Sequence, residues 1–253
     1  MNIIGKQITI MKTSHIMQAY LGEYPGSRSD SDKKFIRAVQ SFIDQNDKES
    51  ELIIVSDGCE VTHKLYYKYF KNEERVKYVY VDKDTPNMYE GEQKYYRGLP
   101  RQVGRSLVTG EITTYMDSDD FLLPNAVESI KKAWELYKQH DIVVLYNSSW
   151  VDNQVMIEKK DLMGKTNKCV GEPFKIEGLE DLWVNRTMSE TSLILSSTWS
   201  MIHKSEFEGK WEDTIGSPSE DVLFSSKLQK TKKAAVMNEP YYVRCHYSNL
   251  WDY

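Results

Sequence analysis

The sequence has few cysteines and lacks a long hydrophobic run. Its three cysteines, Cys59, Cys169 and Cys245, form no C-x-x-C pair, which disfavours a disulfide framework or a cysteine zinc site and favours a reducing compartment. No window approaches the roughly 18 consecutive apolar residues that a membrane-spanning helix needs, and the first residues lack the charged-then-apolar order of a signal peptide. We therefore expect a soluble, cytoplasmic protein.

The chain also lacks an excess of positive charge. Its formal net charge at pH 7 is -5, from 33 lysines and arginines against 38 aspartates and glutamates. Because a protein that binds nucleic acid over a broad surface needs a basic face, this balance argues against a nucleic-acid partner. The 253 residues suit one large α/β domain, or one domain with a small appended lobe.

Short apolar runs of strand length alternate with amphipathic segments of helical length. The candidate strands are residues 7 to 11, 51 to 55, 76 to 81, 112 to 116 and 141 to 146. The candidate helices are residues 34 to 45, 65 to 70, 100 to 110, 127 to 137 and 217 to 230. This alternation predicts a mostly parallel, Rossmann-like central sheet with helices on both faces.

The pattern weakens in the second half of the chain. Residues 152 to 190 are polar and are punctuated by glycine and proline, so we interpret them as loops and a small lobe. Residues 192 to 203 predict a strand pair, or a strand and a turn. The sequence thus predicts an α/β domain whose later part is irregular.

Three carboxylates within four residues follow the fourth candidate strand, at Asp117, Asp119 and Asp120. Clustered like charges repel, so the arrangement is favourable chiefly where a cation neutralises it or where it faces water. Oxygen ligands suit a hard divalent ion such as Mg2+ or Mn2+, which keeps coordination positions for substrate phosphate. The alternative is a solvated acidic turn in which Asp119 or Asp120 favours the start of the next helix.

Four short motifs occur in an order that resembles family 2 glycosyltransferases. Residues 110 to 124, with Asp-Ser-Asp-Asp at their centre, are similar to the family's acidic signature. Residues 51 to 59, ending in Ser-Asp-Gly-Cys, are similar to its second strand and nucleoside-binding turn. Residues 219 to 224 resemble the Glu-Asp motif that carries its catalytic base, and residues 243 to 246 resemble its late Arg-x-His segment. The similarity touches most of residues 6 to 250.

This resemblance implies an inverting glycosyltransferase of the GT-A fold, with a small C-terminal region on the acceptor side. Residues 1 to 253 would form a single domain whose first half, to about residue 120, binds the nucleotide and whose second half faces the acceptor. The donor would be a UDP-sugar, and the acceptor hydroxyl would belong to a glycan or a lipid-linked molecule, as in polysaccharide biosynthesis. Mn2+ or Mg2+ would be the cofactor, and a lipid-linked acceptor would bring peripheral membrane association.

The resemblance also assigns roles on the donor side. Asp57 would accept a hydrogen bond from the nucleoside, for which the alternative is an aspartate that only forms the turn before a glycine. Arg101 could reach ribose or phosphate, or be a solvated or ion-paired side chain. Asp117 and Ser118 would contact the donor, with Asp117 holding the ribose or, through water, the metal. Asp119 is the preferred metal ligand.

Two later residues complete the expected site. His246 would be a further metal ligand or a phosphate contact, with a structural histidine as the alternative. Asp221 would be the general base, because a helix dipole keeps a first-turn carboxylate ionised and able to accept a proton. The alternative for Asp221 is a stabilising acid in a first helical turn. Glu220 is explained by a capping box that begins at Ser217.

One segment departs from the family pattern. The family's first strand ends in a Pro-Thr-Tyr-Asn type of turn that lines the uridine, whereas residues 8 to 15 contain no proline and a polar stretch follows at residues 23 to 32. We therefore carry over no donor-base contact from this region.

Two rival interpretations have different chemistry. A haloacid-dehalogenase-like phosphatase also places Asp-x-Asp after a strand with Mg2+, but there a Thr or Val follows the second aspartate, whereas Asp120 follows here. A GT-A domain that binds nucleotide or carbohydrate without catalysis is the second rival. Turnover of a UDP-sugar separates a transferase from such a binding domain.

Overall fold

The computed structural model describes residues 11–22, 30–82, 94–95, 98–137, 140–147, 149–152, 169–176, 179–187, 201–212, 214–215, 220–230, 234–237 and 239–245. The helices in this part of the chain are α1 (Ser31–Ile43), α2 (Glu60–Tyr69), α3 (Gly98–Arg105), α4 (Ala126–Tyr137) and α5 (Glu220–Gln229). None of the described helices is long and apolar enough to cross a membrane.

The largest sheet has seven strands and is mostly parallel. Its strands are β1 (Thr13–Ala19), β2 (Ser50–Asp57), β3 (Val76–Val81), β5 (Ile112–Asp117), β7 (Val144–Asn147), β11 (Met201–Lys204) and β13 (Ala234–Met237). Their order is β13-β7-β11-β5-β1-β2-β3, and only β11 runs antiparallel to its neighbours among these strands. The predicted α/β class and the mostly parallel central sheet are confirmed.

A second sheet has five strands, two of which lie in the region that the sequence predicts to be loops. Its order is β6-β14-β8-β10-β9, where β6 is Phe121–Leu122, β8 is Ser149–Asp152, β9 is Cys169–Ile176, β10 is Leu179–Thr187 and β14 is Tyr242–Arg244. The loop prediction for residues 152 to 190 is therefore wrong for β9 and β10. The prediction relied on glycine and proline as signs of loops. Pro173 is tolerated in β9, however, because β9 is an edge strand. A two-stranded sheet joins β4 (Lys94–Tyr95) to β12 (Thr214–Ile215).

The first strand of the described residues, β1, lies after the strand predicted at residues 7 to 11. Residues 1 to 10 fall outside the described residues, and Met11 is not in a strand, whereas β1 spans Thr13–Ala19 and pairs in parallel with both β2 and β5. Strand β1 has no continuous apolar run, because it includes polar residues such as Ser14 and His15, although both are buried. Strand β1 ends at Ala19, so residues 13 to 15 lie within the strand and not in the turn that follows it.

Helices cover both faces of the central sheet, as predicted. Met17 and Ile54 belong to the core beneath α1, α2 and α4, whereas Ile16 and Tyr115 belong to the core beneath α5. The alternation of neighbouring residues between the two cores is what a strand buried on both faces requires. Helix α3 approaches β1 closely, because a Cβ atom on Gly104 would lie 2.5 Å from a methyl group of Ile16.

A buried carboxylate secures the amino ends of the strands, opposite the edge at which β5 ends. Ser14 Oγ and the Thr109 backbone N–H donate to Glu51 Oε1 over 2.5 and 2.6 Å. The Nζ atoms of Lys77 and Lys12 lie 2.7 and 3.1 Å from Glu51 Oε2. Burial would raise the pKa of Glu51, but the hydrogen bonds from Lys77, Ser14 and Thr109 outweigh it and lower the pKa to about 2.

We expect this carboxylate to make the fold acid-sensitive. Because the pKa of Glu51 falls from 4.5 to about 2 on folding, its stabilisation is complete above pH 4.5 and is lost as the pH falls towards 2. The contribution of Glu51 to the free energy of unfolding is on the order of 2 to 3 kcal/mol. It is less than the full pKa shift implies, because Lys12 and Lys77 are partly exposed and solvent screens their charges. Glu51→Gln should lower the urea midpoint at pH 7 and flatten its fall between pH 4.5 and 2.

The check is a set of urea unfolding curves for wild type and Glu51→Gln across that pH range. Glu49→Gln is the control, because Glu49 is exposed two positions away in the sequence. Parallel pH profiles for wild type and Glu51→Gln would show that Glu51 does not cause the acid sensitivity.

Candidate functional site

The carboxyl ends of β2, β1 and β5 meet at one edge of the central sheet, which we call the rim. Strand β1 lies between the other two, and the register aligns Gln18 with both Val55 and Asp117. Asp117 ends β5, and Asp57 ends β2 two residues beyond Val55. Open α/β sheets bind their ligands at this kind of edge. The structure therefore brings Asp57 and Asp117, which were both predicted to bind the donor, to the same rim.

The turn after β2 is shaped by Ser56 and Gly58. Ser56 is buried, and its hydroxyl donates to the Cys59 carbonyl over 3.2 Å and accepts from the Cys59 N–H over 3.3 Å. Gly58 has a φ of 61°, which favours glycine, and its N–H donates to the Val81 carbonyl over 2.8 Å. Ser56 and Gly58 therefore both shape the turn that follows Asp57.

The three aspartates of the acidic turn have different environments. Asp117 and Asp119 are half-buried, as is Ser118 between them. Asp120 is buried, and its Oδ1 accepts a hydrogen bond from the Cys245 N–H over 2.7 Å. Burial, together with the charges of Asp119 and Asp117, raises the pKa of Asp120 well above its usual range. Asp120 therefore links the turn to β14, and only the other two acids are open to a ligand.

The donor set at the rim fits a divalent ion that is shared with a phosphate. Mg2+ and similar ions are commonly held by one or two carboxylates plus substrate phosphates, and Asp117 and Asp119 can supply the carboxylates. Within the described residues, no cluster of three or more His, Cys, Asp or Glu side chains could hold a metal ion. His246 lies outside the described residues, but Cys245, which precedes it in the sequence, donates to Asp120 beside Asp119.

A buried arginine bridges the acidic turn and helix α5. Arg101 is 5% exposed, and its Nη1 donates to Glu220 Oε1 over 2.6 Å. Its Nη2 lies 3.7 Å from Asp117 Oδ1, and its guanidinium carbon lies 4.9 Å from the centroid of the Trp211 ring. This burial and pairing favour a role in which Arg101 holds the site together over direct contact with a nucleotide.

Glu220 and Asp221 are adjacent in the first turn of α5 but differ in environment. Glu220 is buried, and its observed partner is Arg101, whereas residues 216–219, including the start of the expected capping box, lie outside the described residues. Asp221 is half-buried, and its Oδ1 accepts from the Val222 N–H over 2.8 Å. Through Arg101, the helix that carries the predicted base is tied to the acidic turn.

A chain of buried polar groups connects strand β5 to the segment under α5. Trp211 Nε1–H donates to the Tyr115 hydroxyl over 2.9 Å, and this hydroxyl lies 2.9 Å from His203 Nε2. Burial lowers the pKa of His203 to about 3, so the ring is neutral. Its Nδ1–H then donates to the Lys204 carbonyl at 2.7 Å, which leaves Nε2 to accept from Tyr115. Trp211 also stacks on Phe224 of α5, with 4.2 Å between ring centroids.

Sequence reasoning missed three neighbours of the acidic turn. Gln18 aligns with Asp117, and its Oε1 is buried without a hydrogen-bond partner among the described residues. The Tyr242 hydroxyl accepts from the Asp117 N–H over 2.8 Å, and Arg37 donates to the Asp119 carbonyl over 3.0 Å. A polar residue at the end of a buried strand was a usable signal for Gln18. Nothing local in the sequence indicates the other two contacts.

The chain is similar to known glycosyltransferase-related proteins. No protein-family model matches it. It is 23% identical over 208 residues to glycosyltransferase GlyA of Streptococcus pneumoniae, a match that covers 81% of this chain and 28% of GlyA. Among solved structures, S. aureus TarS 1-349 in complex with UDP-GlcNAc has a TM-score of 0.61 and 19% identity, covering 94% of this chain and 60% of TarS 1-349.

The same TarS fragment in complex with UDP gives a TM-score of 0.60 at 19% identity, over 92% of this chain and 60% of the fragment. The chain thus spans little more than a quarter of GlyA and about three fifths of the TarS fragment. At 19% identity, the structural similarity is evidence for a shared fold. Together with the mostly parallel sheet covered by helices on both faces, it shows that the chain has a GT-A-like, Rossmann-like α/β fold.

Proposed function

We propose that the chain is an inverting glycosyltransferase that moves a sugar from a UDP-sugar to a hydroxyl of a glycan or lipid-linked acceptor. The observation that carries the proposal is the Arg101 bridge, which ties the helix of Asp221 to the acidic turn at the rim. The binding of UDP-GlcNAc and UDP by TarS, a protein with the same fold, supports a uridine donor. The similarity to GlyA supports glycosyl transfer.

On the donor side, the proposal assigns each rim residue a contact. Asp57 accepts from the uracil N–H, because its carboxylate ends β2 at the rim while Ser56 shapes the turn. Asp117 and Ser118 contact the ribose, and Arg101 keeps Asp117 in place for that contact. The order of the four motifs supports the proposal that the chain is a family 2 glycosyltransferase.

Asp119 and His246 are the proposed protein ligands of Mn2+ or Mg2+. When bound, the ion would stabilise the negative charge on the diphosphate leaving group as a Lewis acid. Asp119 is half-buried at the rim and Asp117 is beside it, so this chain supplies few ligands and leaves positions for phosphate oxygens. Asp120 keeps the turn joined to β14, the strand after which His246 follows in the sequence.

Asp221 is the proposed general base. Its carboxylate takes the proton of the acceptor hydroxyl while the hydroxyl oxygen forms a bond to the anomeric carbon of the donor sugar. The bond from that carbon to the diphosphate oxygen breaks in the same step, and UDP leaves. Attack from the face opposite the leaving group inverts the anomeric configuration.

The test is calorimetry of UDP binding with and without Mn2+, followed by a screen of UDP-sugars for turnover. Binding that needs Mn2+ agrees with the proposal, and turnover separates a transferase from a domain that only binds the nucleotide. Absence of any UDP binding would rule out the proposed donor.

Asp119→Asn should remove the Mn2+ dependence of UDP binding and leave the fold intact. Asp119 lies at the rim beside other acids, so losing its charge removes a metal ligand without exposing core. The measurement is UDP affinity at several Mn2+ concentrations together with the melting temperature. Asp44→Asn removes one exposed acid at the far end of α1 and is the control. An unchanged Mn2+ dependence in Asp119→Asn would exclude this residue as a ligand.

A further inference from the structure

Helix α1 directs a stripe of polar side chains at the backbone of the acidic turn and the residues after it. Arg37 and Ser41 are four residues apart, which places them in one row along the helix, and Gln45 follows at the same spacing two residues after the helix ends. Arg37 Nη2 donates to the Asp119 backbone oxygen over 3.0 Å. One turn further, Ser41 Oγ accepts from the Leu122 N–H, also over 3.0 Å.

Gln45 continues the row two residues beyond the C-terminal end of α1. It is buried, its Nε2 donates to the Leu123 carbonyl over 2.7 Å, and its Oε1 accepts from the Val127 N–H over 3.0 Å. The neighbouring Asn46 N–H donates to the Pro124 carbonyl over 3.0 Å. The backbone from the acidic turn to the start of α4 is therefore fastened to a single helix.

Arg37 is the member of this row that touches the candidate metal ligand. Its guanidinium carbon lies 4.9 Å from the centroid of the Phe121 ring, so the side chain is held between this ring and the Asp119 carbonyl. Fixing that carbonyl fixes the peptide plane that follows Asp119, and with it the direction in which the Asp119 carboxylate leaves the backbone.

We propose that Arg37 is a positioning residue that holds Asp119 in the orientation needed to bind a divalent cation together with a nucleoside diphosphate. The inference rests on the proposed function, because it takes Asp119 to be a metal ligand. Arg37 itself contacts neither the metal nor the nucleotide in this scheme. It acts through the backbone of the turn.

Charge alone predicts the opposite effect on binding. The guanidinium is a permanent positive charge beside the acidic turn, so it repels a divalent cation, and its removal would tighten Mn2+ binding. Loss of a positioning contact weakens metal affinity, by about 10- to 100-fold for supporting residues of metal sites. The sign of the change therefore separates positioning from simple electrostatics.

Arg75, which also contacts α1, provides a matched control for Arg37. Its Nη2 donates to the Ile43 backbone oxygen over 2.7 Å, and its guanidinium carbon lies 5.1 Å from the Phe42 ring centroid. It thus makes the same pair of contacts as Arg37. However, it lies at the amino end of β3, on the edge of the sheet opposite the rim.

The experiment measures Mn2+-dependent UDP binding by calorimetry for wild type, Arg37→Met and Arg75→Met, with the melting temperature of each. We expect Arg37→Met to weaken the affinity by about 10- to 100-fold, and Arg75→Met to leave it near the wild-type value. An Arg37→Met affinity equal to or tighter than wild type, with wild-type binding intact, would overturn the inference. If wild type shows no Mn2+-dependent UDP binding, the proposed function fails before the variants are compared.

Ser41→Ala is the second variant, in case Arg37→Met does not fold. It removes the acceptor for the Leu122 N–H without changing the charge near the turn. We expect it to weaken Mn2+-dependent UDP binding in the same direction and by less than Arg37→Met. If Arg37→Met does not fold and Ser41→Ala binds as wild type does, α1 does not set the geometry of the turn and the inference is overturned.

Discussion

Asp221→Asn should reduce the rate of sugar transfer by about 100- to 10,000-fold, the usual contribution of a general base. The amide has the shape of the carboxylate but cannot take the acceptor proton. UDP binding and the melting temperature should stay near their wild-type values, because the amide oxygen of Asn can still accept the hydrogen bond that Asp221 Oδ1 accepts from the Val222 N–H. The measurement is the transfer rate with the UDP-sugar and acceptor found by the screen.

Asp32→Asn is the matched control for this substitution. Asp32 also lies in the first turn of a helix, and its Oδ1 accepts from the next residue's N–H over 2.8 Å, as that of Asp221 does. As helix-turn acids, both would contribute only about 0.3 to 1 kcal/mol to stability and nothing to the chemistry. If Asp221→Asn keeps more than about a tenth of the transfer rate, the general-base assignment is wrong.

Arg101→Met should destabilise the protein by about 3 to 5 kcal/mol, because it leaves the carboxylate of Glu220 buried without its partner. Glu220→Gln removes the closest carboxylate from the buried guanidinium, which keeps its 3.7 Å contact with Asp117, and should also be costly. The double variant removes both charges, so its loss of stability should be smaller than the sum of the single losses. Urea unfolding of the two single variants and the double variant gives the coupling free energy directly.

The Lys227–Glu212 pair is the exposed counterpart, with a 2.8 Å separation and side chains that are 28% and 60% exposed. Substitutions there should change stability by less than about 1 kcal/mol. Additive losses at Arg101 and Glu220 would mean that their contact carries no stability of its own. UDP binding by the double variant gives a second readout, since we expect Asp117 to lose its neighbour and the affinity to fall.

The parts of the fold that could be predicted are those whose signal is local. Strands β2, β3 and β5 were placed within one or two residues because their apolar runs are bounded by turn residues. The location of Asp57 and Asp117 at the same rim was predictable, because parallel strands end at one edge of the sheet. Strand β1 was not predicted because its polar Ser14 donates to Glu51, a partner that only the folded chain supplies.

The parts of the site that could not be predicted depend on contacts between distant residues. Glu220 looked like a capping residue, but its partner Arg101 lies 119 positions away. Asp120 was interpreted only as part of the acidic cluster, and the Cys245 N–H that donates to its carboxylate is 125 positions away. No local pattern distinguishes a rim carboxylate from one that the second sheet covers.

The position of β11 has a consequence for how the protein can fold during synthesis. This strand, Met201–Lys204, lies between β5 and β7, which both precede it in the chain by more than fifty residues. A nascent chain can align β3, β2, β1 and β5 early, but β5 then presents an unpaired edge next to its buried apolar residues. The unpaired backbone groups of such an edge can form hydrogen bonds with strands of other chains. A fragment that stops before residue 201 should therefore aggregate, even though it contains the whole acidic turn.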